Sequence, residues 1–201
     1  MKECLLCATS LETLPSWKSL VGMEEQEVIC ERCSNSFERA DIKEEGTTLA
    51  SITSLFMYND AMKDYLHQFK FLQDIALAKV FRKELNGVLK GKTNIVPIPM
   101  HPEKKLARTF AQVEALLDAA NIPYLNVLEK LDTGAMGEKT RRERLEMKPL
   151  FTLKQEIQIQ PETYILVDDI YTTGTTLQHA AKILKEAGAL RVEAVTLIRA
   201  K

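Results

Sequence analysis

Two groups of residues in this sequence have the types and the spacing to do chemistry. The first is a set of four cysteines, Cys4-x-x-Cys7 and Cys30-x-x-Cys33, which are all the cysteines of the 201-residue chain. A tight turn lets both thiolates of one pair reach a single ion, and two such pairs complete a tetrahedron, the ligand spacing of a zinc ribbon. A segment this short buries too little apolar surface to fold alone, so metal ligation would supply much of its stability. Disulfides are the alternative use of four cysteines, and they suit an oxidising, secreted setting. A closed four-thiolate site leaves no position for water, so the expected zinc is structural rather than catalytic.

The second group runs from Tyr164 to Thr176, where an apolar stretch leads into Asp168 and Asp169 and then into Thr172, Thr173, Gly174, Thr175 and Thr176. The apolar part reads as a buried strand and the small polar residues as a turn that opens a helix. The carboxyl end of a parallel strand is where open α/β sheets bind ligands. Backbone N–H groups, hydroxyls and a helix N-terminus suit a phosphate, and Gly174 allows the backbone to approach it. Two carboxylates suit a neutral diol instead, so the pattern reads as acids for ribose hydroxyls and loop for a 5′-phosphate. It is not a Walker A loop, because no Gly-Lys-Ser/Thr follows.

These groups need elements to hold them. Ile52–Tyr58, Asn94–Ile98, Tyr124–Leu128, Thr163–Val167 and Val192–Ile198 read as strands. Ala61–Leu72, Ile75–Leu89, Glu103–Ala120 and Thr175–Ala187 read as helices, the last ending at Gly188. The polar stretch Asp41–Thr48 reads as a linker, and residues 130–149 as a charged, mobile loop. The expected architecture is a mostly parallel α/β sheet with flanking helices over 49–201, preceded by a four-cysteine, zinc-ribbon-like module over 1–48. Trp17 and Phe37 are expected to pack that module.

Composition sets outer bounds. Net charge is −1, with 45% hydrophobic and 27% charged residues, the balance of an ordinary globular protein. No apolar run reaches the roughly 18 residues of a membrane span, and the N-terminus lacks a secretory apolar stretch, so a cytoplasmic location is expected. Basic residues cluster at Lys104-Lys105 to Arg108 and at Lys139 to Arg144. Such clusters can hold phosphates, although a solvated helix face is the commoner use of any one.

The Tyr164–Thr176 segment resembles the PRPP-binding signature of type I phosphoribosyltransferases, and the chain along nearly its whole length resembles the ComF family of competence proteins. Tyr58 to Asp60 leading to Phe69-Lys70-Phe71, Val96-Pro97-Ile98-Pro99-Met100-His101, and the basic run Lys139 to Arg144 resemble blocks of that family. Two departures stand out. The family's Arg-Gly-Phe-Asn-Gln is Arg108-Thr109-Phe110-Ala111-Gln112 here, and a glutamine common at the start of the basic loop is Met136.

The resemblance implies a type I phosphoribosyltransferase fold that binds PRPP or a related ribose phosphate through Asp168, Asp169 and Thr172–Thr176. It places Pro99, His101 and Arg108 on the pyrophosphate side. The loop Leu131–Arg144 would close over the site, with Lys139 and Arg144 as candidate catalytic groups. Mg²⁺ would bridge pyrophosphate and ribose oxygens, bound mainly by the ligand. It further implies a role in DNA uptake and natural transformation, with incoming single-stranded DNA and a helicase-like competence protein as partners and recruitment to the membrane uptake machinery. The alternative is an active phosphoribosyltransferase acting on a nitrogen acceptor that the sequence does not name.

Overall fold

The computed structural model describes residues 2–11, 27–46, 48–101, 108–131 and 150–200. The N-terminal part is built from two knuckles. β1 (Lys2–Glu3) pairs antiparallel with β2 (Ser10–Leu11), and the turn between them carries Cys4 and Cys7. Cys30 stands at the N-cap of α1 (Glu31–Asn35), which carries Cys33.

A five-stranded sheet follows, in the order β3-β4-β9-β8-β5. Its strands are β3 (Arg39–Glu44), β4 (Ser51–Met57), β5 (Ile95–Pro97), β8 (Thr163–Tyr171) and β9 (Arg191–Arg199). β4, β9, β8 and β5 are parallel, and only β3 runs antiparallel. The stretch read as a linker is thus partly the edge strand β3. Its polar composition is what an edge strand requires, since charges there discourage pairing with another chain. A separate two-stranded ribbon joins β6 (Leu128–Lys130) to β7 (Phe151–Leu153).

Both faces of the sheet are covered, and β8 shows why its sequence is apolar throughout. Ile165 and Val167 join one core with Phe56, Tyr65, Phe69 and Phe81, whereas Tyr164 and Leu166 join another with Leu177, Ala180, Ala181 and Leu184. Successive strand residues face opposite ways, so a strand between two cores must be apolar at every position. The first core is roofed by α2 (Asp60–Lys70), which buries Met62, Tyr65, Leu66 and Phe69. Their spacing is one helical face. Asn59 caps α2, its side-chain oxygen accepting the Met62 N–H at 2.9 Å.

Beyond α2, the run expected as one helix is a 3-10 helix (Ile75–Phe81) continued by α3 (Arg82–Leu89). The helix expected from Glu103 is described only from Arg108, and there α4 begins at Gln112 and ends at Ala119. The delay has a backbone cause: Thr109 has φ 56 and Ala111 is extended, neither compatible with a continuing helix. The second core is covered by α5 (Thr175–Glu186).

Phe37 packs into the main core, edge-on to Phe81 at 4.9 Å and Tyr65 at 6.3 Å. Cys4, Ile29 and Phe37 belong to the same buried cluster as the sheet. Trp17 lies outside the described residues.

Candidate functional site

β8 is longer than its apolar part. It continues through the acids to Tyr171, whose register partner is Arg199 on β9. Asp168 and Asp169 therefore sit in the carboxyl-terminal half of a central strand, toward the carboxyl edge of the parallel sheet. Pro99 and His101 follow β5 on the neighbouring strand's same edge, where the Ile98 N–H donates to the Val167 carbonyl at 2.9 Å.

The two carboxylates are not equivalent. Asp169 is ion-paired with Lys70, the last residue of α2, and both side chains are largely buried. Asp168 Oδ1 accepts the Asp169 N–H at 2.9 Å. Burial pushes the Asp168 carboxyl up to about 7, and the Asp169 charge adds to this, against the Asp169 N–H, Lys70 and Lys130. Near neutral pH the pair and Lys70 together carry much less negative charge than two free carboxylates.

Beyond Tyr171 the chain turns through Thr172 and Thr173 into Gly174, the N-cap of α5, at φ 75. No side chain caps this helix, an arrangement that can receive an anion at its first N–H groups. The Thr173 and Thr175 hydroxyls lie 2.9 Å apart over the same turn. Gly174 is required twice over. Its backbone is left-handed, and a Cβ there would stand 2.5 Å from the Tyr171 hydroxyl. The Tyr171 ring is in turn stacked by the Arg199 guanidinium at 4.3 Å. Glu44 of β3 grips that guanidinium with two hydrogen bonds, at 2.7 and 3.0 Å. The turn thus rests on a tyrosine, an arginine and a glutamate drawn from three strands.

Arg108 is not on the turn. Its guanidinium lies 5.4 Å from the Phe71 ring centre and donates to Gln112 Oε1 at 3.4 Å. Thr109, where the related pattern has glycine, sits at φ 56, a conformation glycine adopts freely and a β-branched residue does not. Its hydroxyl donates to Gln73 Oε1 at 3.2 Å. Lys139, Arg144 and the rest of the basic run lie outside the described residues. The ribbon of β6 and β7 brackets that stretch, ending at Lys130 and resuming at Phe151.

The four cysteines come together. Their Sγ atoms all lie within 4.8 Å of one another, and Cys7 and Cys30 are 3.7 Å apart. A tetrahedron with zinc–sulfur bonds of about 2.3 Å has sulfur–sulfur edges of roughly 3.8 Å. The four-thiolate set and its spacing fit a metal ion. Hydrogen bonds from the Thr9 side chain and backbone lower the Cys7 thiol to about 5. Arg32, beside Cys7, Cys30 and Cys33, supplies positive charge next to a site that carries net negative charge when loaded.

Sequence reasoning assigned no role to Lys70, Tyr171, Arg199 or Glu44. Lys70 stood in a recognised block, Phe69-Lys70-Phe71, but its partner is far away in the chain. Among the described residues no helix is long and apolar enough to cross a membrane.

Comparison with known proteins matches residues 124–201 to the phosphoribosyl transferase domain family. The chain is 36% identical over 220 residues to the competence protein ComFC of Streptococcus pneumoniae, covering 98% of this chain and 100% of that protein. It is 28% identical over 228 residues to the competence protein ComFC of Bacillus subtilis, covering 98% of this chain and 94% of that one. Among solved structures, adenine phosphoribosyltransferase from Leishmania donovani aligns with 79% of this chain and 86% of its own at 13% identity, with a TM-score of 0.43.

Proposed function

The chain belongs to the ComFC family of competence proteins, and from that premise we propose that it acts in DNA uptake during natural transformation, handling incoming single-stranded DNA with a domain that binds PRPP. Asp168 and Asp169 take the ribose hydroxyls, and Thr172, Thr173, Gly174, Thr175 and Thr176 take the 5′-phosphate. The observation that carries this reading is the uncapped N-terminus of α5, opened by a left-handed Gly174 beside two carboxylates at the carboxyl edge of the sheet. Mg²⁺ accompanies the ligand's pyrophosphate, on the side of Pro99, His101 and Arg108.

Cys4, Cys7, Cys30 and Cys33 hold a structural zinc ion in the module of residues 1–48, ahead of a phosphoribosyltransferase domain over 49–201. Single-stranded DNA and a helicase-like competence protein are the macromolecular partners, with the protein acting from the cytoplasmic side of the membrane uptake machinery. The basic runs of the sequence support contact with phosphates, which would make DNA binding steeply salt-dependent.

Turnover of PRPP on a nitrogen acceptor is the second reading, and the Asp168 environment favours it. A carboxyl ionising near pH 7 can take the proton released when the acceptor nitrogen bonds to C1 and pyrophosphate leaves. Two assays separate the readings: pyrophosphate release from PRPP across a panel of nucleobases, and single-strand binding as salt is varied. Release with one base at enzymatic rates supports turnover. Salt-dependent single-strand binding without release supports the handling role, and the absence of both release and binding refutes both readings.

A further inference from the structure

We propose that Phe71 is a stacking platform for a base of single-stranded DNA at the mouth of the Asp168–Thr176 cleft, an assignment that rests on the DNA-handling reading above. Phe71 is 63% exposed, and with Leu72 at 66% and Ile75 at 56% it forms an apolar surface immediately beyond α2. Leaving a phenylalanine ring in water forgoes roughly 2 kcal/mol of burial, so the exposed ring needs a reason.

The ring has a cation and a second ring beside it. Phe71 is the C-cap of α2, with its N–H donating to the His67 carbonyl at 2.9 Å. The Arg108 guanidinium lies 5.4 Å from the ring centre, and the His67 ring lies 5.8 Å away, inclined by 33°. An exposed aromatic ring with a guanidinium beside it is a pairing that can receive a base and its phosphate together, the base on the ring and the phosphate on the cation.

Position and charge choose the occupant. The preceding residue, Lys70, is ion-paired with Asp169, so the platform stands one residue along the chain from a group that touches the candidate ribose-phosphate site. The apolar surface also leads the other way, into a groove of about 550 Å³ whose lining includes Ile75, Lys79, Phe110, Glu114 and Asp118. Its two acids outweigh its one lysine, so the Arg108 side suits a phosphate chain better than the groove does. Three exposed apolar side chains make a small patch for a protein partner, but one ring is enough for a base.

The test is fluorescence anisotropy of labelled oligo-dT of about 15 nucleotides, at one fixed salt concentration. It compares the full-length protein with Phe71→Ala and Phe71→Trp, using circular dichroism as the fold control. A lost stacking contact should weaken binding about tenfold in Phe71→Ala. Phe71→Trp should bind at least as well as wild type and show DNA-induced fluorescence quenching beyond any that Trp17 gives in wild type. An oligomer of abasic spacers should bind wild type and Phe71→Ala equally. Unchanged oligo-dT affinity in a folded Phe71→Ala variant overturns the platform, and loss of self-association in that variant would then make the patch a protein contact. No binding by wild type itself overturns the DNA-handling reading and the platform with it.

Discussion

Replacing Asp168 by asparagine should stabilise the unliganded protein while weakening ribose-phosphate binding about tenfold or more. Burial raises this carboxyl from its ordinary 3.8 to about 7. A raised carboxyl contributes its full stability below the unfolded value, near 4, and loses it as pH rises through the folded value, near 7. At about 1.4 kcal/mol per pH unit the loss is at most about 4 kcal/mol, and solvent at the cleft mouth reduces it. Asparagine does not titrate, and its side-chain oxygen can still accept the Asp169 N–H. The variant should therefore gain on wild type between pH 4 and 7 and keep a constant advantage above that. Urea unfolding at pH 4, 6 and 8 measures the gap directly. Wild-type affinity for PRPP should rise through pH 7, because an ionised carboxylate accepts a ribose hydroxyl better than a protonated one. A gap that does not widen with pH, or an affinity that falls across it, would refute the reasoning.

Other substitutions test separate parts of the account. Gly174→Ala should cost about 3 kcal/mol of stability, from a left-handed backbone and a displaced Tyr171 ring, and should weaken PRPP binding; urea unfolding and calorimetry check both. Thr109→Gly should stabilise the fold by about 1 kcal/mol by releasing a β-branched residue from φ 56, net of one exposed hydrogen bond, and a thermal melt reads this. Wild type should carry one zinc per chain, and Cys30→Ser should lose it and loosen the N-terminal module; metal analysis by mass spectrometry and limited proteolysis report the two effects.

What the sequence made legible followed from local pattern. The cysteine pairs declared a metal site because ligand geometry fixes their spacing, and the assembled Sγ atoms agree. The acids and small residues after an apolar strand likewise stood where a strand runs into a helix. What stayed hidden depended on contacts between distant segments. Glu44 read as part of a polar linker because its partner, Arg199, lies at the other end of the chain. Lys70 read as one residue of a block, although it neutralises Asp169. The ribbon of β6 and β7 has three residues per strand, too few to display a period of two. The expected helix from Glu103 failed at Thr109, where backbone conformation overrides an apolar periodicity that spans the site.

Titration calorimetry of PRPP with Mg²⁺ tests the central claim most directly, on wild type and on the Asp168→Asn/Asp169→Asn double variant, each shown folded by circular dichroism. Each charge-assisted hydrogen bond to a ribose hydroxyl contributes about 1.5–3 kcal/mol, so losing the pair should weaken binding by two or more orders of magnitude. The account predicts one PRPP bound per wild-type chain and no measurable heat with the double variant. A folded double variant that binds PRPP as wild type does would contradict it.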